Sequence, residues 1–208
     1  MRNFLVLLLV SLLWISCSPK TFKLKWTKVI APEHYTTRFE TSKGNFDIKI
    51  ERGLSPKAAD RFYQLVNHNF FDNSLFYRVK PGFVAQFGGN DSVAYKKWNA
   101  IKVPDEPVKQ GNLKGSFSFA RGGKETRTSD LFINLRDNSR LDTLLYNDVK
   151  GFPSFGKVTS GMDVIEKLYS GYSDATMEHF DMMLNNRKAF LDKYPKLDVI
   201  YKVYILRD

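Results

Sequence analysis

The chain has one cysteine, Cys17, and three histidines, His34, His68 and His179, among its 208 residues. A single cysteine closes no intrachain disulfide. The histidines stand far apart, with no Ser or Cys arranged beside them as in a nucleophile–base–acid triad and no partner at zinc-ligand spacing. No phosphate-binding or dinucleotide-binding glycine motif is present, and Gly88-Gly89 is only a pair. There is no internal repeat and no low-complexity tract. The longest apolar run, Phe4 to Ile15, is too short to span a bilayer comfortably. These absences set aside covalent acyl transfer, metal hydrolysis and nucleotide chemistry as first readings.

What is present is one domain's worth of chain with an aromatic core. Hydrophobic residues make up 43% and charged residues 26%, as in ordinary globular proteins, and the 17 Phe and 10 Tyr suit a β-rich fold. The formal net charge is +10, but Lys and Arg are dispersed and acids interrupt every run. That distribution argues against a nucleic-acid partner and for a surface that meets anionic lipid, cell wall or acidic clients.

Met1-Arg2-Asn3 followed by the apolar run reads as a secretory signal over residues 1–16. Ser16-Cys17 at its end resembles a bacterial lipobox, with Trp14 where Leu is usual, so Cys17 is the expected lipidation site. The alternative is a leftover cysteine in a cleaved leader. Residues 17–35 are expected to form a lipid-anchored tether, with Trp26, Val29 and Ile30 as candidates to pack on a domain over 36–208.

Thr37–Thr41 and Phe46–Glu51 read as paired strands, the second alternating Phe46, Ile48, Ile50 against Asp47, Lys49, Glu51. Ser55 as cap and Pro56 after it open a helix whose apolar stripe is Ala58, Phe62, Leu65 and Val66, with His68 at its end. Asn90 to Asn112 reads as a long polar loop, and Asp105-Glu106 within it as a solvated turn. Phe117–Ala120, Leu131–Leu135, Phe155–Thr159 and Val199–Leu206 read as strands, Met162–Leu168 and Ala175–Tyr194 as helical.

The stretch that organises the chain is Phe76-Tyr77-Arg78-Val79-Lys80-Pro81-Gly82-Phe83-Val84-Ala85-Gln86-Phe87-Gly88-Gly89. By pattern alone it is two short strands joined at Pro81-Gly82, with Arg78 and Lys80 on one face, and an ordinary hairpin with an exposed Arg would explain it. In order and content, however, it resembles the signature of the cyclophilin family of peptidyl-prolyl cis-trans isomerases. Gly115-Ser116-Phe117-Ser118-Phe119-Ala120, Thr126 to Asn134, Leu141-Asp142, Phe155 to Val158 and Gly161 to Ile165 resemble that family's later motifs in the same order.

The resemblance implies a mainly β fold with helices: a closed eight-stranded antiparallel barrel capped by two helices, plus a C-terminal helix and strand. It implies isomerisation of X–Pro bonds with no cofactor and no metal. Arg78 would be the catalytic donor and Gln86 would hydrogen-bond the substrate backbone. Phe83, Val84, Phe132 and Leu141 would form the proline pocket, supported by Phe76, for which plain core is the alternative. Ala120, Arg121 and Gly122 would line the groove for residues before the Pro. Phe152 stands near the family's pocket-rim His, and Asp130 replaces a Gln, with a charge expected to pair with Arg78 or repel acidic clients. Arg140 precedes Leu141 where an aromatic is frequent. The extra chain Thr143–Lys150, with Leu144, Leu145 and Tyr146, is either a client-specific lip or packed on the barrel.

The expected partners are Pro-containing unfolded or partly folded polypeptides and, through Cys17, a membrane; the chain is expected to be a monomer of the bacterial envelope facing the periplasm. A non-catalytic module that holds Pro-containing segments of a partner is the alternative.

Overall fold

Alternation builds the first hairpin. Strand β1 (His34–Thr41) pairs along its whole length with β2 (Gly44–Glu51), and Phe46, Ile48 and Ile50 are fully buried. The structure is a computed structural model that describes residues 22–89 and 91–206; Cys17 and the signal expected over 1–16 lie outside them. Pro56, at a first-turn position where its missing N–H is harmless, opens α1 (Pro56–Asn67), and Phe62, Leu65 and Val66 drive into the sheet. His68 ends the helix as expected.

The chain continues through β3 (Ser74–Leu75), β4 (Arg78–Lys80) and β5 (Val84–Phe87), then α2 (Ser92–Asn99), β6 (Ser116–Phe119) and β7 (Leu131–Asn134). A short helix α3 (Arg140–Thr143), a small hairpin of β8 (Leu145–Tyr146) and β9 (Val149–Lys150), β10 (Ser154–Ser160) and α4 (Met162–Glu166) follow. Helices α5 (Phe180–Asn185) and α6 (Arg187–Lys193) precede the last strand, β11 (Val199–Ile205).

Nine strands form one curled antiparallel sheet in the order β3-β11-β1-β2-β10-β6-β7-β5-β4. A closed eight-stranded barrel was expected; the sheet is instead open between β3 and β4. Those end strands are consecutive in the chain, separated only by Phe76-Tyr77, so the seam is crossed by the backbone itself and not by a hydrogen-bonded ladder. Inside the curl, Phe39, Phe46, Phe62, Phe76, Phe87, Phe117 and Phe155 pack ring against ring, many edge to face.

Three expectations change. The loop after Gly89 contains α2, capped by Asp91 accepting the Ala94 N–H at 2.6 Å, with Trp98 buried in the core. Asp105-Glu106 is not solvated: both carboxylates are nearly buried against the guanidinium groups of Arg121 and Arg127. Ala175–Tyr194 is not one helix. A turn at Ala175–His179 leads into α5, and Asn186 breaks the run, its side chain accepting the Ala189 N–H to start α6.

Of the expected tether, residues 22–33 lie against α1. Trp26 stacks on His68 at 3.7 Å, Gln64 donates to the carbonyls of Thr27 and Val29, and the Ala31 N–H donates to Asp60. Trp26 packs as anticipated, whereas Val29 and Ile30 are exposed.

Candidate active site

Cross-strand register collects the site. Arg78 faces Gln86 across β4–β5, and Gln86 faces Phe132 across β5–β7, so these three form a transverse row on one face of the sheet. Val84, two residues before Gln86, shares that face. The turn at Gly82, with φ +66°, brings Phe83 over the row. Asn138 fixes it there by donating to the Phe83 carbonyl and to Asn134. The Leu141 N–H donates to the Asn138 carbonyl and the Phe152 N–H to the Leu141 carbonyl, which sets both side chains against Phe132.

The result is a cavity of about 380 Å³ with an apolar floor of Val84, Phe132 and Leu141 and walls of Phe83, Ala120 and Phe152. Phe152 meets Phe132 edge on at 6.0 Å, and the Arg121 Cζ lies over the Phe152 ring, 4.7 Å from its centre. Arg78 and Gln86 reach the same cavity, as do Leu144, Tyr146 and Met177. Gly122 and Asp130 line an adjoining cavity of about 420 Å³ that shares Gln86, Ala120, Arg121 and Met177 with the first. Phe76 reaches neither; it is fully buried between Phe46 and Phe87.

A chain of hydrogen bonds orients the polar groups. Arg78 donates from Nε to Asp174 at 2.6 Å and from Nη1 to Gln86 Oε1 at 3.1 Å. Gln86 Nε2 donates to the Tyr77 hydroxyl at 2.8 Å, and that hydroxyl donates to Asp130 at 3.0 Å. Tyr95 donates to the second Asp130 oxygen at 2.6 Å. Asp130 therefore does not pair with Arg78; it terminates the chain that begins there. Gly88 makes the room, since a Cβ at that position would sit 2.1 Å from the Asp130 carboxylate. The acid that does hold Arg78 is Asp174, shared with Lys80, and hydrogen bonds from Lys80 and Arg78 keep its carboxyl below its ordinary value.

Sequence reasoning missed Asp174, Met177, Tyr77 and Tyr95. Two of them follow α4 in a stretch without a motif, Tyr77 falls on the opposite face of its strand from Arg78, and Tyr95 lies in the stretch that reads as a polar loop. In the extra chain Thr143–Lys150, Leu144 packs on the pocket cluster and Tyr146 lines the cavity, while Leu145 stays exposed.

Burial pushes the Asp130 carboxyl up to about 6, against hydrogen bonds from Tyr95 and Tyr77 that pull it down. Folded protein thus holds this proton more tightly than unfolded chain. The stabilising contribution is complete below about pH 4 and is lost as pH rises through about 6. Replacing Asp130 by Asn should remove that loss, on the order of 1–3 kcal/mol. Melting curves from pH 4 to 7.5 check it: the wild-type Tm should drop relative to the variant's with rising pH, and parallel profiles would refute it.

A family model, cyclophilin type peptidyl-prolyl cis-trans isomerase/CLD, matches residues 36–186. The chain belongs to the cyclophilin family. A peptidyl-prolyl cis-trans isomerase of Acinetobacter baylyi is 33% identical over 131 residues, which are 62% of this chain and 69% of that protein. Peptidyl-prolyl cis-trans isomerase A of Dickeya dadantii is 37% identical over 131 residues, covering 62% and 67%. A Helicobacter pylori isomerase is 31% identical over 157 residues, covering 73% and 90%. The cyclophilin-type isomerase structure from Cryptosporidium parvum aligns with a TM-score of 0.61 at 19% identity, over 84% of this chain and 99% of that one, which speaks for the fold. This cyclophilin is a peptidyl-prolyl cis-trans isomerase.

Proposed function

We propose that this cyclophilin accelerates X–Pro isomerisation in unfolded or partly folded envelope and secreted proteins, with Arg78 as the catalytic donor. The barrier to be lowered is amide resonance, roughly 18–20 kcal/mol. As the bond twists, the prolyl nitrogen loses conjugation and gains a lone pair. A hydrogen bond to that lone pair exists only in the twisted state, so it lowers the barrier without tightening the ground state. The observation that carries the reading is the Arg78 geometry. Its Nε and Nη1 are committed to Asp174 and Gln86, its Cζ lies 5.7 Å from the Phe83 ring, and Nη2 has no hydrogen bond among the described residues.

In this reading the Pro ring sits on Val84, Phe132 and Leu141 between Phe83 and Phe152. Gln86 offers its second Nε2 hydrogen to the substrate backbone, since its first is held by Tyr77. Ala120, Arg121 and Gly122 border the segment before the Pro. A structure related in fold was determined in the presence of the dipeptide Ala-Pro, which agrees with a Pro-binding groove in this family.

The proposed setting is a lipid anchor on Cys17 at the envelope. The apolar run ending at Ser16-Cys17 supports it, and Phe22, only five positions on, already packs against Trp98. Such a short link would hold the domain close to the bilayer. Mass spectrometry of the membrane-extracted protein tests this: a diacylglyceryl adduct on Cys17 is expected, and a soluble chain cleaved beyond Cys17 would overturn it.

Exchange measurements on a short Pro peptide test the function, and catalysed interconversion is expected. A folded protein that binds the peptide and leaves its exchange rate unchanged would install the non-catalytic alternative. Asp174 is a positioning residue in this scheme. Asp174→Ala should lower kcat about three- to tenfold with KM little changed, on the scale of one partly exposed charged hydrogen bond, and Asp174→Glu should recover part of it. A rise in kcat would instead make Asp174 a restraint on Arg78.

A further inference from the structure

A third cavity, of about 470 Å³, is lined by Phe83 and by none of the border residues Ala120–Gly122. Arg78, Phe83 and Arg140 belong to it and to the pocket cavity alike, so the two open into each other. Its charged lining is Arg78, Lys80, Arg136, Arg140 and one acid, Asp137. Arg78 and Lys80 share Asp174, whereas Arg136 and Arg140 form no ion pair among the described residues. Counting Asp137 and Asp174 against the four cations leaves two positive charges in excess.

The scaffold holds these cations together. The Arg140 Cζ lies 5.2 Å from the Phe83 ring centre and the Arg78 Cζ 5.7 Å from it, so two guanidinium groups share one aromatic ring. Arg136 lies along the turn, its Cδ 3.9 Å from the position of a Cβ on Gly82, and its Nε donates to the Asp137 carbonyl at 3.4 Å. Like charges fixed near one another without a counter-ion attract an anion, and planar guanidinium groups match a carboxylate in particular.

We propose that this cavity is an anion subsite that takes a carboxylate of the client on the C-terminal side of the Pro. The placement rests on the isomerase reading above: if the chain before the Pro runs along Ala120–Gly122, the chain after it passes Phe83 into the basic cavity. The preferred substrates are then X–Pro bonds followed within a residue or two by Asp or Glu, or by a chain end. The same charge excess disfavours Lys and Arg there.

Peptides differing only in Glu, Gln or Lys at each of the two positions before and after the Pro test this, as amides and as free acids. Glu after the Pro should raise kcat/KM roughly three- to tenfold over Gln at low salt, the scale of one or two solvent-exposed charge pairs, and Lys should lower it. The Glu gain should shrink as salt is added. It should also shrink in Arg136→Gln and further in Arg136→Gln/Arg140→Gln, both replacements being at exposed positions. A gain confined to free acids would assign the subsite to chain ends; one retained in amides assigns it to side chains.

Equal rates for Glu and Gln would overturn the proposal, as would a Glu gain only before the Pro or one that survives the double replacement. Turnover of the Gln peptide judges the isomerase reading separately. If no peptide is turned over, the dissociation constants of the Glu and Gln peptides carry the same comparison.

Discussion

Arg78→Ala should lower kcat/KM for a Pro peptide by about 10²–10³, the usual cost of removing one preorganised donor from a transition state. The loss should fall on kcat, because the apolar floor of Val84, Phe132 and Leu141, proposed to grip the ring, is untouched. Binding of a ground-state peptide should therefore change little. Arg78→Lys should recover only a minor part of the rate, since an ammonium cannot hold Asp174 and Gln86 from one rigid fork while directing a third donor at the substrate. The fold should survive. Arg78 is partly exposed and its acid, Asp174, is nearly half exposed, so their ion pair contributes no more than about 1 kcal/mol. Turnover and affinity measured on one preparation check both halves. Wild-type turnover retained in a well-folded Arg78→Ala protein would remove Arg78 from catalysis.

That row of site residues was legible because it depends on local order. Alternation and Pro81-Gly82 set the register that puts Arg78 opposite Gln86, and the resemblance supplied Phe83, Phe132 and Leu141 from motifs in sequence order. The resemblance supplies Phe152 by the same route, and it lines the cavity beside Phe132. Phe76 was not: burial alone cannot distinguish a ring under a pocket from a ring in the core, and here it is the core.

What escaped the reading depends on partners distant in the chain. Asp174 meets Arg78 across 96 positions, and Asp130 meets Tyr77 across 53. No periodicity announces such a contact. The helix α2 was hidden because its buried face is chiefly one residue, Trp98, too little to make a stripe. The breadth of the Ala175–Tyr194 pattern was real, but Asn186 interrupts it by capping the next helix with its own side chain. The sheet's opening between β3 and β4 follows from chain connectivity, which a strand count does not carry.

Glu106 is the position where the sequence misled most, and a change there should destabilise most. One Glu106 oxygen accepts the Lys57 N–H at 2.9 Å; the other accepts the Ala58 N–H at 3.2 Å and the Ser55 hydroxyl. The cap of α1 therefore comes from a carboxylate about fifty residues further on, while Ser55, the expected cap, gives its hydroxyl to that carboxylate. The same carboxylate pairs with Arg127 at 3.1 Å, whose side chain is wholly buried, and among the described residues Asp105 is the only other acid that pairs with it, at 3.7 Å. Glu106→Ala thus removes a helix cap, worth about 1 kcal/mol, and leaves a buried guanidinium short of a partner, which costs about 3–5 kcal/mol. At the 2–4 °C per kcal/mol usual for a chain of this size, Tm should fall by roughly 10 °C or more. Asp105 also holds Arg121 at 2.9 Å, and Arg121 lies over Phe152. Disorder spreading through this cluster would loosen the pocket wall, so KM for Pro peptides should rise along with the loss of stability. The double replacement Glu106→Ala/Arg127→Met should recover a good part of the Tm, because an apolar side chain leaves no buried charge to compensate. Thermal unfolding of the three proteins decides it: a Glu106→Ala Tm within about 2 °C of wild type, less than 1 kcal/mol by the same conversion, would show that the buried Arg127 finds its compensation elsewhere.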